Sequence, residues 1–200
     1  IACAVRLLEL GYAVTVFDAA EAPGGTVRAT IPEARMPGAV LRAEIAALLD
    51  DVGPARLRWR AGCALSDAFT LDDVLADGFD AVFLGLGLPR AQQLDGPRPA
   101  KGVTDALAFL RAVKCDGLIP PPRVAVIGGG NAAMDAAVSA VRAGASDVSL
   151  VYRRSFAELP AWPEERNRAL DAGVHFLILA QPVAYHADDA GRLLGVRLAR

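Results

Sequence analysis

Residues 123–154 read RVAVIGGGNAAMDAAVSAVRAGASDVSLVYRR, and they constrain the fold more than any other stretch. Residues 124–127 are a short apolar run of the kind that forms a strand buried on both faces. Gly128, Gly129 and Gly130 come next, with Ala133 where the third small residue of G-x-G-x-x-G/A belongs. Gly128 can take turn dihedrals, Gly130 lets backbone approach a pyrophosphate, and Ala133 lets a helix lie close to the strand. The start of that helix offers free N–H groups and a positive dipole end to phosphates. Met134, Val138 and Val141 recur at i, i+4 and i+7, giving the helix one apolar face. Gly144 stops it, and residues 148–151 form the next strand. Strand, glycine turn, helix and strand together read as a mononucleotide-binding unit. The bland alternative is a glycine-rich turn in a parallel α/β protein that binds nothing.

The residues just after the second strand discriminate between cofactors. An NAD site carries Asp or Glu about 20 residues after the glycines, accepting from the ribose 2′-hydroxyl. Here Tyr152, Arg153 and Arg154 stand near that position. Arginine pairs with a 2′-phosphate, and no carboxylate stands at the strand end to repel one. NADPH is therefore favoured over NADH. Two arginines that merely cap a surface strand are the alternative.

Two hundred residues allow one large domain or two small ones, and 54% hydrophobic residues suffice for a real core. A net charge of −2 argues against nucleic acid or an anionic membrane as the main partner. No apolar run approaches the roughly 20 residues that span a bilayer. Cys3, Cys63 and Cys115 lie far apart without C-x-x-C spacing, which fits reduced buried thiols in a cytosolic protein better than a disulfide or metal framework. His175 and His186 are too isolated to suggest zinc, so no metal site is expected. The sequence opens at Ile1, without methionine, inside what reads as a helix, as a piece of a longer chain would.

Ile1, Ala4, Val5 and Leu8 share one helical face, Gly11 ends that helix, and residues 13–17 form a strand with Asp18 at its tip. This is the second half of another β-α-β unit, with Asp18 placed to accept from a ribose, and without a first strand and glycine loop. Pro23, Gly24 and Gly25 make a second glycine turn before Thr26, and IPEARMP (residues 31–37, with Arg35) reads as extended. Helices are expected over 40–49 and 71–76, the latter capped by Thr70, and strands over 56–60 and 79–84. Gly85-Leu86-Gly87-Leu88 comes after the last of these, and residues 92–102 form a Pro- and Gly-rich connector. A helix over 105–113 leads to the organising stretch. Beyond Arg154 come an irregular segment (156–163), a helix (164–171), a strand (174–179) and a hairpin pairing 183–186 with 193–198.

Asp18, Gly24-Gly25, IPEARMP, FDAVFLGLGL, VIGGGNAAMDAA, VYRRS and LPAWPEE together resemble the NADPH-dependent, FAD-containing oxidoreductases. That family is typified by the glutamate synthase small subunit and the flavin arm of dihydropyrimidine dehydrogenase. The resemblance covers nearly the whole chain. It implies an α/β fold of two Rossmann-like, glutathione-reductase-like dinucleotide-binding units, both truncated: a partial FAD domain at 1–92, a connector at 93–121 and an NAD(P)H domain at 122–200. Asp18, Gly24, Gly25 and Thr26 would hold the ribose and pyrophosphate side of FAD. Arg35 would contact the flavin, Leu65 would meet the adenine through its backbone, and Gly87 would approach the cofactor closely. Gly128 supplies the turn; Gly129, Gly130, Asn131 and Ala132 would hold the NADPH phosphates, and Arg153 and Arg154 would read the 2′-phosphate. Gly-Leu-Gly-Leu is closer to the dihydropyrimidine dehydrogenase branch, whereas VYRRS and LPA are closer to the glutamate synthase branch.

The implied chemistry is hydride transfer from nicotinamide to flavin, then electron delivery to iron–sulfur clusters or a partner subunit, such as the glutamate synthase large subunit or a pyrimidine-reducing subunit. The clusters themselves are expected in a further N-terminal region or in the partner. The cofactors carry that chemistry, so no catalytic residue is nominated. Glu158 and Glu164 read as solvated surface charges. Two other readings stay open: a module that binds NADPH without redox turnover, and an inactive piece of a larger enzyme.

Overall fold

The computed structural model describes residues 1–49, 52–53, 55–88 and 100–200. They fall into two compact units, Ile1–Arg28 with Glu33–Leu88, and Ala29–Pro32 with Pro89–Arg200, the latter described from residue 100. The expected boundary between residues 92 and 93 lies outside the described residues.

The elements of the first stretch are α1 (Ala2–Glu9), β1 (Val14–Phe17), α2 (Gly25–Thr30), α3 (Gly38–Leu49), β2 (Leu57–Arg60) and α4 (Leu71–Ala76). β1 and β2 pair in parallel, Val14 opposite Leu57 and Phe17 opposite Arg60. A parallel pair needs a crossover, which α2 and α3 provide. Ala4 and Leu8, one turn apart on α1, are buried, as are Ile45 of α3 and Val74 of α4. The Phe17 ring packs on Phe69 and Phe79 at centroid distances of 5.4 and 5.8 Å. Thr70 and Asp73 form a capping box, so α4 starts where the cap predicts.

Two expectations fail in this unit. Residues 79–84 are not a strand. A strand needs a neighbour to take its N–H and C=O groups, and the described sheet holds only β1 and β2. Phe79 instead packs edge-on against Phe17, while Phe83 and Leu84 stay 71% and 52% exposed. Residues 31–37 are not extended either, because 33–35 turn and a short helix, α2, precedes them. Glu33 closes that turn by accepting from the Gly38 N–H at 2.7 Å; the prolines bound the segment without straightening it.

The second unit continues with α5 (Ala106–Cys115), β3 (Arg123–Ile127), α6 (Asn131–Arg142), β4 (Asp147–Tyr152), a 3₁₀ turn (Phe156–Glu158), α7 (Pro163–Asp171), β5 (His175–Ile178), β6 (Gln181–Ala187) and β7 (Leu193–Ala199). β3, β4 and β5 form a parallel sheet in that order, so three consecutive strands lie side by side with α6 and α7 as crossovers. β6 and β7 form a separate antiparallel hairpin. Lys101, within the expected connector, exchanges backbone bonds with Gly191 and Leu193 beside β7.

Burial in the parallel sheet differs from the sequence reading. β4 is the central strand, and its Val148, Leu150 and Val151 are at most 2% exposed. β3 lies at the end of the order with Ala125 exposed, so it is not buried on both faces. The helix differs in the other direction. Residues 133–140 of α6 are all buried, not only the Met134 face. α6 packs against α5, α7 and the sheet, and its alanines are small enough to face neighbours on every side. Lys114 of α5 donates to the Ile31 carbonyl at 2.6 Å, tying the Ala29–Pro32 segment to this unit.

Candidate functional site

The carboxyl ends of β3 and β4 sit side by side, with Ile127 opposite Val151. The glycine turn leaves the first and the arginine pair leaves the second. The Gly128 N–H donates to the Val151 carbonyl at 3.0 Å, carrying the ladder one residue into the turn. Gly128 has φ +137°, a region other residues avoid, and a Cβ there would lie 3.5 Å from that of Ala133. Gly128 is thus explained by its dihedral, while Ala133 lies at ordinary contact distance from it.

Gly129 and Gly130 then divide two tasks. A Cβ on Gly129 would lie 2.6 and 2.7 Å from Tyr152 ring carbons and 2.8 Å from Leu159 Cδ2. A Cβ on Gly130 would meet nothing within 4 Å. Gly129 therefore faces protein, and Gly130 faces open space. Gly130 is also the N-cap of α6 and has no side chain to satisfy the first N–H groups. An anion on the open side would find those groups and the helix dipole. Asn131 and Ala132 make up the start of α6, Ala132 being exposed.

Arg153 and Arg154 are exposed at the end of β4, and neither is ion-paired with a described residue. The loop that displays them is fixed at several points. The Tyr152 hydroxyl donates to the Glu158 carbonyl at 2.9 Å. The Ser155 N–H and hydroxyl both donate to the Glu158 carboxylate, at 3.1 and 2.7 Å. Those bonds, with a smaller pull from Arg154, hold the Glu158 carboxyl below its ordinary range. Glu158 is exposed, as expected, yet it caps a turn rather than standing free; Glu164 is exposed on the first turn of α7.

The loop then returns to the glycines. The Ala161 N–H donates to the Gly129 carbonyl, and the Trp162 N–H to Asn131 Oδ1, both at 3.0 Å. Leu159 and Ala161 are buried, 5% and 4% exposed. Sequence reasoning gave LPAWPEE no role of its own. The proline-bounded LPAWP was the available signal, since it fixes backbone where a helix has yet to start.

In the first unit, Asp18 directly follows β1, at the strand tip where the sequence places it. Its Oδ1 accepts from the Ala20 N–H at 2.9 Å, and its carbonyl from the Cys63 N–H, which brings the Leu65 loop alongside. Gly24 has φ +121°, and a Cβ there would meet Arg28 and Leu41 at 2.9 and 3.2 Å. Gly25 (φ +51°) and Gly87 (φ +69°) face open space. Thr26 is exposed on α2, Arg35 is half-buried in the 33–35 turn, and Leu65 is 39% exposed. Asp18 and the 63–65 loop are the residues this unit brings together.

Among the described residues there is no cluster of His, Cys, Asp and Glu that could hold a metal ion, and no helix long and apolar enough to cross a membrane.

No family model matches the chain. It is 35% identical to the NADP(+)-dependent formate dehydrogenase subunit beta of Moorella thermoacetica over 100% of its length, and covers 28% of that protein. It is 31% identical to a Cereibacter sphaeroides protein named glutamate synthase [NADPH] small chain, over 95% of this chain and 48% of the relative. An NAD-dependent dihydropyrimidine dehydrogenase subunit PreT homolog of Salmonella typhi is 33% identical over 94% of this chain and 47% of its own. The chain thus spans less than half the length of these relatives. Among solved structures, Mycobacterium tuberculosis FprA in complex with NADPH matches 98% of this chain and 63% of its own, with a TM-score of 0.72 at 15% identity. The α/β fold is shared with FprA, and the resemblance carried by the motifs, to glutamate synthase small-chain and dihydropyrimidine dehydrogenase proteins, is borne out at 31–33% identity.

Proposed function

We propose that the second unit binds NADPH, as part of an oxidoreductase that passes a hydride to FAD held by the first unit. One observation carries the reading. The open side of Gly130 and the uncapped start of α6 lie beside a strand end that displays two arginines free of described ion pairs. That arrangement fits a diphosphate on the helix start and a 2′-phosphate on the arginines.

Gly130, Asn131 and Ala132 would hold the diphosphate through backbone N–H groups, with Gly128 and Gly129 shaping the turn beneath it. In the first unit Asp18, with Gly24, Gly25, Thr26, Arg35, Leu65 and Gly87, is proposed for FAD. One Asp18 oxygen is engaged by Ala20, which leaves the other for a ribose. When bound, nicotinamide would supply the hydride and flavin would accept it, so the part of each unit is to bind its own nucleotide. We place the domains at 1–92 and 122–200, with a connector between. Three free cysteines fit a cytoplasmic setting, although none is buried as expected: Cys3 and Cys63 are half-buried and Cys115 is exposed. Relatives named as subunits or as a small chain support an electron-accepting partner subunit, with a glutamate synthase large subunit the first choice. A pyrimidine-reducing subunit is the second, favoured by the PreT homolog.

Calorimetric titration of the Arg153→Ala/Arg154→Ala variant tests the nucleotide assignment. Each lost charge-assisted bond is worth about 1.5–3 kcal/mol, roughly tenfold to somewhat over a hundredfold in NADPH affinity, with NADH little affected. Equal losses for the two nucleotides would refute the 2′-phosphate role. Anaerobic mixing of the flavin-loaded protein with NADPH should bleach the flavin; bound NADPH beside flavin that stays oxidised would leave only a binding module.

A further inference from the structure

We propose that Trp162 is a stacking platform for the adenosine half of the nucleotide, an inference that rests on the NADPH reading above. The observation is a mismatch between how firmly the residue is held and how little of it is covered. Its N–H is bonded to Asn131 on the first turn of α6, and the preceding N–H to Gly129 in the turn itself. Pro163 comes next as the first residue of α7, and Leu159 and Ala161 are buried just before it. The backbone is therefore pinned beside the anion site from both directions. The residue is nonetheless 62% exposed.

Topology assigns it to one half of a dinucleotide. Diphosphate on the start of α6 leaves two directions for the nucleosides. Arg153 and Arg154 open the β4–α7 connection and would take the phosphate on the adenosine ribose; Trp162 closes the same connection. β3 ends the described sheet order with β4 and β5 on one side of it only, so the nicotinamide half runs to its other side, away from this loop. A planar, amphipathic ring at that place matches the flat face of a purine, which stacks on aromatic side chains irrespective of its hydrogen-bonding edge.

The chain has two tryptophans, so Trp59→Phe leaves Trp162 as the sole indole. In that protein, NADPH and adenosine 2′,5′-bisphosphate should each quench the emission, saturating with the binding curve found by calorimetry. Trp162→Ala should weaken both ligands about fivefold to a hundredfold, the effect of cutting a base platform to alanine, and Trp162→Phe should restore most of the loss. Its melting temperature should match wild type, because the bond to Asn131 uses backbone. Calorimetric binding of NADPH with unchanged emission and an unaffected Trp162→Ala variant overturns the platform and leaves the NADPH reading standing. A response to NADPH but none to the bisphosphate overturns the adenosine assignment. Failure of the unmutated chain to bind NADPH overturns both readings.

Discussion

Replacing Gly129 and Gly130 separately by alanine should give opposite defects, although the two glycines are adjacent in one motif. At Gly129 the new methyl would lie 2.6 Å from the Tyr152 ring and 2.8 Å from Leu159. Neither neighbour is a loose end, because the Tyr152 hydroxyl is bonded to the Glu158 carbonyl and Leu159 is only 5% exposed. Relief must come from moving the ring, the loop or the turn. Overpacking of that kind costs about 1–3 kcal/mol. Each kcal/mol lowers the melting temperature by about 4–8 °C in a domain near 100 residues. At Gly130 the methyl meets nothing within 4 Å, and φ is an ordinary −86°. Alanine is a poorer N-cap than glycine, but it also restricts the unfolded chain, and the two effects are similar in size and opposite in sign. The melting temperature should stay within a few degrees, while NADPH affinity falls at least about tenfold, the loss of one charge-assisted contact. Thermal unfolding by circular dichroism and NADPH calorimetry on both variants read the two effects apart. If Gly129→Ala melts with wild type, the packing role is wrong. If Gly130→Ala binds NADPH normally, the open side of the turn is not where the diphosphate lies.

The remaining predictions concern the support of the site. Met134 is 0% exposed at the centre of α6, so Met134→Ala should cost about 2–5 kcal/mol, seen as a lower midpoint in urea. The Glu158 carboxyl, lowered from its ordinary 4.5 mainly by the Ser155 hydroxyl and N–H, contributes stability above that value and loses it as pH falls through the depressed one. The melting-temperature gap between wild type and Glu158→Gln should therefore narrow from about pH 6 to about pH 3; a constant gap would show that the carboxylate form is not what closes the turn.

The β-α-β unit was legible because its signals are local. Residues 123–152 combine an apolar run, three glycines, a helical period and a stopping glycine, and each finds its element within a residue or two. Thr70 likewise marked the start of α4 through a bond three residues long. What failed depends on neighbours. Residues 79–84 have the composition of a strand, but a strand exists only beside another one, and composition does not say who pairs. The exposure of Ala125 and the burial of α6 on all sides reflect β3 at the end of the sheet order and α6 among other elements. Gly129 shows the same limit within the site. Its glycine was readable, but its reason was not, since Tyr152 and Leu159 lie 23 and 30 residues further along.

The loop after β4 changes how the site's selectivity is to be understood. A glycine turn at a helix start binds diphosphate of either nicotinamide cofactor, because backbone N–H groups cannot sense the 2′ position. On the proposed NADPH reading, discrimination falls to the β4–α7 connection, which displays Arg153, Arg154 and Glu158. Left to itself, such a loop would lose conformational freedom on binding and give back part of the gain from its arginines. Here the loop is already held by bonds from Tyr152, Ser155, Ala161 and Trp162, one of which ends on the glycine turn and another on the first residue of α6. Turn and arginine loop are therefore one object with a fixed internal spacing. On this reading the diphosphate and the 2′-phosphate are recognised as a pair at a set separation, with Gly129 contributing by admitting Tyr152 and Leu159 and Gly130 by leaving its side open to phosphate.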